Sequence, residues 1–356
     1  MKKVVIGMSG GVDSSVAAII LKEQGYDVIG LFMRNWDSTI NNDFLGNPNL
    51  NNNICPQEED YNDAKKVCDK IGIPLHRIDF VKEYWDYVFT YFLDELKCGR
   101  TPNPDIMCNK YIKFDMFAEE ARKLGADYIA TGHYARLKDG KLLRGVDSNK
   151  DQTYFLCQVS KEQFENVLFP IGDMEKPEVR KIAEEYGLIT AKKKDSTGIC
   201  FIGERNFKNF LKNYLPNQPG DVVNIDTNEV IGKHIGLMNY TIGQRKGLGI
   251  SYKEPLFVIG FNKEKNELIV GTNQDTYQKE MLVSNLNWLL IDKLEEKTEV
   301  AVKTRYSTKE SKATIEQAED NLVKVVFNEP VQRITPGQSA VFYIDDVVLG
   351  GGKILK

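Results

Sequence analysis

The chain of 356 residues lacks any long hydrophobic run and any leader-like start. No window approaches the ~18 consecutive apolar residues that a membrane-spanning helix needs. The opening residues, MKKVVIG, contain only three aliphatic residues between the lysines and a glycine, too few for the apolar core of a signal peptide. These absences argue against a membrane-spanning or secreted protein, and we expect a cytoplasmic one.

Cysteine is sparse, and no two cysteines form a CxxC pair. A chain of this length with scattered cysteines has neither a disulfide framework nor the ligand spacing of a zinc site. We therefore assign no metal ligands among them and expect reduced thiols. The six are Cys55, Cys68, Cys98, Cys108, Cys157 and Cys200.

A strong excess of positive charge is also missing, since 47 Lys and Arg face 51 Asp and Glu for a net charge of −4. This balance argues against bulk, sequence-independent binding to nucleic acid, although it leaves room for a local basic face. The candidates for such a face are the run 192–194, the pair 245–246, and Lys303 with Arg305.

Strand and helix patterns alternate over the first 190 or so residues, which predicts a parallel sheet with helices on both faces. The predicted strands are 4–8, 27–33, 74–80 and 127–135, and the predicted helices are 14–24, 60–72, 83–99, 113–125 and 176–188. Residues 36–57 and 100–109 are predicted as loops. After about residue 205, short alternating runs separated by polar turns predict hairpins and then a small barrel. The fold class is therefore α/β, with a catalytic domain at 1–205, a small mainly β domain at 206–278 and a C-terminal β-barrel at 279–356.

The glycine-rich stretch MSGGVDSS lies between the first predicted strand and helix. Backbone N–H groups and a helix N-terminus in that place favour an anion, and glycine lets the backbone approach it. The chain has no GxxxxGK[ST] and no GxGxxG, so neither a Walker A loop nor a dinucleotide fold is supported. We predict phosphate binding by residues 9–14. Asp13 would repel phosphate unless it held Mg²⁺ or capped the helix, and both alternatives stay open.

Two cysteines stand in loops of glycine, proline and polar residues: Cys108 in NPDIMCNKYIKF and Cys200 in DSTGICFIGERNF. A thiol just before a helix gains thiolate character, which is the prediction for Cys108. Asp105, three residues earlier, is a candidate acid or base, or a cap of the same helix. The alternative for both cysteines is inert packing.

SGGVDSS resembles the loop of the ATP-pyrophosphatase (PP-loop) superfamily. The ordered series SGGVDSS, NPDIMCNKYIKF, ATGHYA, KDQTYFL, DSTGICFIGERNF, YTIGQRKGLGI, TRYS and TPGQSAVFY spans nearly the whole chain. It resembles the bacterial tRNA 2-thiouridylases, also called tRNA uridine 2-sulfurtransferases. The resemblance implies an adenine nucleotide α hydrolase-like first domain and ATP-dependent 2-thiolation of a tRNA wobble uridine.

The resemblance also implies roles for single residues. Cys200 would carry a persulfide, Cys108 would be its partner thiol, able to form a disulfide with Cys200, and Asp105 would act as acid or base. The ATP-binding residues would be Gly7, Met8, Ser9, Gly10, Gly11, Val12, Asp13, Ser14, Met33 and Gly132. The tRNA-contacting residues would be Asn103, Pro104, Asp105, Lys150, Asp151, Gln152, Arg305 and Tyr306.

The implied chemistry needs ATP, with Mg²⁺, to turn the uracil C2 oxygen into a leaving group. It also needs a sulfur-donor protein, a cysteine desulfurase or a sulfur relay. Whether the persulfide attacks directly or first releases sulfide stays open. A PP-loop amidotransferase or ligase, which needs no cysteine pair, is the second hypothesis. A nucleotide- or RNA-binding module without enzymatic activity is the third.

Overall fold

The computed structural model describes residues 1–49, 56–195, 198–200, 202–203, 205–319 and 321–356. Cys55 and four residues of the stretch DSTGICFIGERNF (196, 197, 201 and 204) lie outside the described residues. The chain forms two compact units. The first unit contains Met1–Phe89, Pro104–Asn206 and Asp346–Val348, and the second contains Thr90–Asn103, Phe207–Asp345 and Leu349–Lys356.

A five-stranded parallel sheet is the centre of the first unit, with the strand order β3–β2–β1–β4–β7. The three central residues of its middle strand, Val4, Val5 and Ile6, are β-branched and fully buried, as expected for a strand covered on both faces. Val5 pairs with Ile29 on one side and with Ile129 on the other. The strands are β1 (Lys3–Gly7), β2 (Asp27–Arg34), β3 (Leu75–Asp79), β4 (Tyr128–Ala130) and β7 (Val167–Leu168), and a hairpin adds β5 (Ala135–Lys138) and β6 (Lys141–Arg144).

Helices cover this sheet and bury one apolar side against it. Val16, Ala17 and Ala18 of the first helix are fully buried in the main core cluster. Full burial of a larger aliphatic side chain such as Val16 stabilises the fold by about 1.5–3 kcal/mol. The helices are α1 (Val12–Glu23), α2 (Pro56–Ile71), α3 (Val81–Tyr84), α5 (Pro104–Met107), α6 (Phe117–Lys123), α7 (Thr153–Leu156) and α8 (Lys176–Glu185), with π-helical segments at Trp85–Phe89 and Cys108–Met116.

Two predictions for this unit were wrong in detail. The predicted loop 100–109 ends early, because a helix begins at Pro104. Proline is well suited to a first helical position, where its missing N–H would have no partner. The predicted strand 127–135 is divided, because the chain leaves the sheet after Ala130 and starts a hairpin strand at Ala135.

The second unit is mainly β. Its first part is a four-stranded sheet in the order β10–β11–β8–β9, in which only the central β11–β8 pairing is parallel. The strands are β8 (Gly220–Asn224), β9 (Val230–His234), β10 (Phe257–Asn262) and β11 (Glu267–Gly271), and the unit also contains helices α4 (Thr90–Lys97) and α9 (Phe207–Leu211).

Six antiparallel strands form a closed barrel in the rest of this unit. The order is β12–β15–β14–β13–β16–β17, and β17 pairs again with β12, with Val283 opposite Ile354. Alternate side chains such as Val323, Val325 and Phe327 point into a continuous core. The strands are β12 (Tyr277–Trp288), β13 (Thr298–Lys303), β14 (Ser311–Gln317), β15 (Val323–Gln332), β16 (Ser339–Ile344) and β17 (Val347–Ile354).

The α/β fold class, with a parallel sheet followed by smaller β structures and a final barrel, is confirmed.

Helix α4 belongs to the second unit, because Glu95 forms ion pairs with Arg100 and Lys353, and Thr101 N donates to Pro336 O. The three-domain division at 205/206 and 278/279 stays a prediction.

Candidate active site

The glycine-rich loop joins β1 to α1 at the carboxyl edge of the parallel sheet, where ligands bind in folds of this class. Gly10 has a φ of +71°, and a Cβ built on it would lie 2.2 Å from the carbonyl oxygen of Asp60. No side chain fits there. Gly11 precedes α1 with extended backbone. The loop therefore offers backbone N–H groups and a helix N-terminus to an anion.

Serine hydroxyls hold the loop in shape. Ser9 N donates to Ser14 Oγ at 3.2 Å, and the two hydroxyl oxygens are 3.1 Å apart. Ser15 Oγ donates to Gly11 O at 2.7 Å. These hydroxyls close the loop over the first turn of α1, so the predicted phosphate-binding residues 9–14 form one local structure.

Asp13 does not cap α1, and its carboxylate has partners on other elements. Its carboxylate accepts hydrogen bonds from Lys176 Nζ at 2.7 and 2.8 Å and from Tyr134 Oη at 2.8 Å. The same ammonium lies 2.8 Å from Asp195. The Lys176 side chain is only 9% exposed, whereas both carboxylates are about one-third exposed. A cation fixed beside the phosphate loop offsets the repulsion that Asp13 alone would exert on an anion.

Two further predicted ATP residues lie near the loop. A Cβ on Gly132 would lie 2.8 Å from Ser14 N and 2.9 Å from the carbonyl carbon of Asp13, so glycine is needed for this contact. Met33 is buried in β2, and its Cε is 3.8 Å from a Cβ built on Gly7. The structure thus brings Gly132 against α1 and Met33 against the end of β1.

The predicted tRNA contacts at 150–152 have partners within the first unit. Lys150 Nζ donates to Asp195 at 2.6 Å. Burial would raise the pKa of Asp195, but the hydrogen bonds from Lys150 and Lys176 lower it to about 2. The buried carboxylate of Asp151 accepts hydrogen bonds from Gly145 N and the Thr153 side chain, and Gln152 Oε1 accepts one from Tyr134 N.

Cys108 lies inside a helical run, which corrects the prediction that it directly precedes a helix. The run begins at Pro104 and continues through the π-helical segment Cys108–Met116 into α6. Cys108 is fully buried, and burial, with the neighbouring Cys200, raises its pKa well above the usual value. The predicted thiolate character of Cys108 is therefore wrong.

Cys108 and Cys200, 92 residues apart in sequence, meet in the fold. Cys108 Sγ donates to Cys200 Sγ at 3.9 Å, and neither thiol is in a disulfide. A tight turn holds Cys200, because Gly203 N donates to Ile199 O at 2.8 Å. Asp105 accepts a hydrogen bond from Cys200 N at 3.0 Å, and Tyr84 Oη donates to Cys200 O at 2.8 Å.

The pKa values of the two thiols are shifted in opposite directions. The hydrogen bond from Cys108 holds the pKa of Cys200 below the usual value despite burial, and the Lys113 ammonium lowers it further. Burial raises the pKa of Asp105, so this carboxyl accepts a proton more readily than an exposed one. The arrangement is a partly exposed cysteine of lowered pKa beside a buried thiol, which suits nucleophilic sulfur chemistry.

Three predicted tRNA contacts lie in the second unit. Arg305 and Tyr306 are in the turn after β13, and Arg305 Nη2 donates to Ile242 O at 2.8 Å and to Thr335 Oγ1. The Lys303 ammonium lies 5.7 Å from the centre of the Tyr306 ring. Asn103 ends the segment 90–103, directly before Pro104.

Four residues of the site were missed in the sequence analysis: Lys176, Tyr134, Lys113 and Tyr84. Lys176 contacts Asp13 across 163 residues, so no local pattern predicts the pair. Lys113 follows Cys108 by five residues, and that closeness was the one available signal.

Lys193, a candidate for a basic face, instead binds Gly10 O, Asp60 and Asp63.

Within the described part of the chain, no helix is both long and apolar enough to span a membrane. The same residues contain no group of three or more His, Cys, Asp or Glu side chains placed to bind a metal ion.

Three family models match consecutive parts of the chain. They are described as the tRNA methyl transferase HUP domain, the tRNA methyl transferase PRC-barrel domain and the aminomethyltransferase beta-barrel domain. Their matches cover residues 2–204, 208–272 and 278–354.

Characterised relatives match the chain from end to end. It is 56% identical to the tRNA-specific 2-thiouridylase MnmA of Mesoplasma florum, over 99% of this chain and 98% of that protein. It is 55% identical to the protein of the same name from Mycoplasma capricolum subsp. capricolum, over 100% and 99%. For the Bacillus anthracis protein of that name, identity is 55% over 99% of this chain and 94% of the other.

Proposed function

This chain belongs to the tRNA-specific 2-thiouridylase family, and from that premise we propose that it replaces the C2 oxygen of the tRNA wobble uridine by sulfur in the cytoplasm. The observation that carries the proposal is the Cys108–Cys200 pair, whose sulfurs lie 3.9 Å apart. The pKa of Cys108 is raised, and that of Cys200 is lowered. Two of the matching models are described as methyl transferases, but methyl transfer needs no such pair of sulfurs.

ATP is the first substrate. The loop from Gly7 to Ser14 would hold its phosphates, because it offers backbone N–H groups and the N-terminus of α1 at the carboxyl edge of the sheet. Met33 and Gly132 would lie on the adenosine side of the site. We expect Mg²⁺ to arrive bound to the phosphates and water, as it usually does in nucleotide sites. Lys176 then shares the neutralisation of negative charge at Asp13.

Adenylation makes the uracil oxygen a leaving group. The C2 oxygen attacks the α-phosphorus of ATP, pyrophosphate leaves, and the oxygen becomes part of an AMP ester. Departure of AMP later carries the original oxygen away. Asp105 has a raised pKa and a fixed orientation toward the Cys200 turn, which suits a group that positions the base or moves a proton there.

Sulfur transfer uses the two cysteines in different roles. Cys200 is partly exposed and has the lowered pKa, so it would accept sulfane sulfur from a donor protein, a cysteine desulfurase or a sulfur relay. Cys108 is buried against it and would attack the inner sulfur of the persulfide. That step forms the Cys108–Cys200 disulfide and leaves the outer sulfur on C2 or as hydrosulfide. A later reductant must restore the two thiols.

A tRNA substrate would contact three sets of residues: Asn103, Pro104 and Asp105 at the target base, Lys150 to Gln152, and Arg305 with Tyr306. A base in a single-stranded loop is read by stacking and by contacts to its edges. Lys150 is paired with Asp195, and Arg305 binds Ile242 and Thr335. Each would have to keep or exchange these partners when RNA binds.

The test is mass spectrometry of nucleosides from tRNA incubated with the protein, ATP, Mg²⁺ and a persulfide source. We expect 2-thiouridine that depends on ATP, and none from Cys200→Ser, which should still release pyrophosphate. Cys98→Ser is the matched control, because Cys98 lies outside the pair. Pyrophosphate release without a thiolated nucleoside would overturn the sulfur assignment and favour the amidotransferase or ligase hypothesis.

A further inference from the structure

The Lys193 ammonium joins the phosphate loop, residues 9–14, to helix α2. Lys193 Nζ donates to the carbonyl oxygen of Gly10 at 3.0 Å, to Asp60 Oδ1 at 2.8 Å and to Asp63 Oδ2 at 2.8 Å. A lysine ammonium has three N–H donors, so these three acceptors satisfy it. Asp60 and Asp63 are three residues apart on α2 and therefore lie on the same side of that helix. The ammonium is thus fixed between a helix and the backbone of the loop.

This contact fixes the direction of a backbone N–H group in the loop. The C=O of Gly10 and the N–H of Gly11 belong to one planar trans peptide, so they point in opposite directions. Because Lys193 holds the Gly10 oxygen toward α2, the Gly11 N–H points away from α2. There it meets Ser9 Oγ at 3.4 Å, a long hydrogen bond that a charged phosphate oxygen is well able to replace. The lysine on one side of the peptide thus prepares an anion-binding N–H on the other side.

The contact also cancels negative charge beside the loop. Without the ammonium, the carboxylates of Asp60 and Asp63 would face the Gly10 carbonyl oxygen and would repel a triphosphate bound nearby. Burial would lower the pKa of Lys193, but its hydrogen bonds to Asp60 and Asp63 raise that pKa above the usual value. Lys193 therefore stays charged at neutral pH.

Two neighbours of Lys193 in the sequence anchor the start of α1. Thr190 Oγ1 donates to Ser15 Oγ at 3.2 Å. Asp195 shares with Asp13 the ammonium that binds both carboxylates. These two contacts hold side chains of α1, whereas Lys193 binds the backbone of the loop that precedes it. Loss of Lys193 should therefore release the loop while the helix keeps its other anchors.

We propose that Lys193 is a positioning residue for ATP, which sets the Gly10–Gly11 peptide with its N–H toward the triphosphate. Lys193 acts through the loop backbone and through the neutralisation of Asp60 and Asp63, and it does not itself contact the nucleotide. The inference rests on the proposed function for its ligand, ATP, and on none of the sulfur chemistry.

The test measures the affinity of the whole chain for MgATP by isothermal titration calorimetry, without tRNA, so that no adenylation consumes the nucleotide. We expect Lys193→Met to raise the Kd about tenfold, because a charge-assisted hydrogen bond is lost and two carboxylates become unpaired beside the loop. Lys192→Met and Lys194→Met remove the same charge from exposed neighbouring positions and should change the Kd by less than about twofold.

Two further variants separate positioning from a loss of folding. Lys193→Arg keeps the positive charge and several N–H donors, so its Kd should stay within about threefold of that of the unaltered protein. Adding Asp60→Asn and Asp63→Asn to Lys193→Met removes the unpaired carboxylates and should recover part of the lost affinity. Lys193→Gln serves as the neutral variant if methionine prevents folding.

A Kd in the folded neutral variant equal to those of Lys192→Met and Lys194→Met would overturn the role of Lys193. An equal tenfold loss in Lys193→Arg would overturn it as well, since the charge would then not be the cause. If the unaltered protein binds ATP and forms no 2-thiouridine, the proposed sulfur transfer is rejected and the role of Lys193 stands on the calorimetry alone.

Discussion

Cys108 Sγ lies 3.9 Å from Cys200 Sγ, with the buried thiol as donor and the partly exposed sulfur as acceptor. A disulfide has its two sulfurs about 2.05 Å apart, so these thiols are in contact but not bonded. The two cysteines therefore have distinct positions before any sulfur arrives.

Replacing Cys108 should change the acidity of Cys200. Cys108→Ala removes the hydrogen bond that most lowers the pKa of Cys200, so the pKa rises and less thiolate exists at neutral pH. Cys108→Ser keeps an O–H donor and should shift the pKa less. The measurement is the pH midpoint of Cys200 alkylation. Equal midpoints in the alanine and serine variants would show that the thiol hydrogen bond is not the cause.

Loss of the Lys176 ammonium should destabilise the first unit. Lys176→Met leaves Asp13 and Asp195 without their shared cation. We expect the free energy of unfolding to fall by about 2 kcal/mol. The loss is smaller than for a fully buried ion pair because both carboxylates are about one-third exposed. Denaturant unfolding measures this. The control is Lys181→Met on the same helix, whose exposed pair with Glu185 should contribute under about 0.5 kcal/mol. Equal losses in both variants would contradict the prediction.

A methyl group at residue 132 should weaken ATP binding. In Gly132→Ala the new Cβ would stand 2.8 Å from Ser14 N, so the first turn of α1 must move away from its place beside the phosphate loop. We expect the KM for ATP to rise about tenfold, equivalent to ~1.4 kcal/mol. Gly260→Ala, where a Cβ meets nothing within 4 Å, is the control. An unchanged KM in a folded Gly132→Ala protein would remove residue 132 from the nucleotide site.

Arg305→Ala should weaken tRNA binding and flatten its dependence on salt. If the guanidinium contacts one phosphate, the slope of log affinity against log salt should become less negative by about 0.9. Fluorescence anisotropy with labelled tRNA at several salt concentrations measures it, with Lys293→Ala, an exposed barrel position, as the control. An unchanged slope with lowered thermal stability would assign Arg305 to holding Ile242 and Thr335 together instead.

The amino-acid sequence by itself determined the class of the fold and the glycine-rich loop between the first strand and the first helix. Buried β-branched strands such as VVIG and amphipathic helices have local periods that follow from backbone geometry, so alternation along the chain predicts a parallel sheet. The loop at Gly10 and Gly11 could also be predicted from the sequence, because few arrangements other than an anion-binding loop use paired glycines between a strand and a helix.

Only the tertiary structure decided which groups meet and which are charged. Cys108 and Cys200 are both cysteines in polar loops when read along the chain, yet burial raises the pKa of one, and a hydrogen bond lowers the pKa of the other. Lys176 reaches Asp13 across 163 residues, and Cys108 meets Cys200 across 92 residues. Electrostatic energy depends on distance and burial in three dimensions, and neither quantity is encoded in the spacing of residues along the chain.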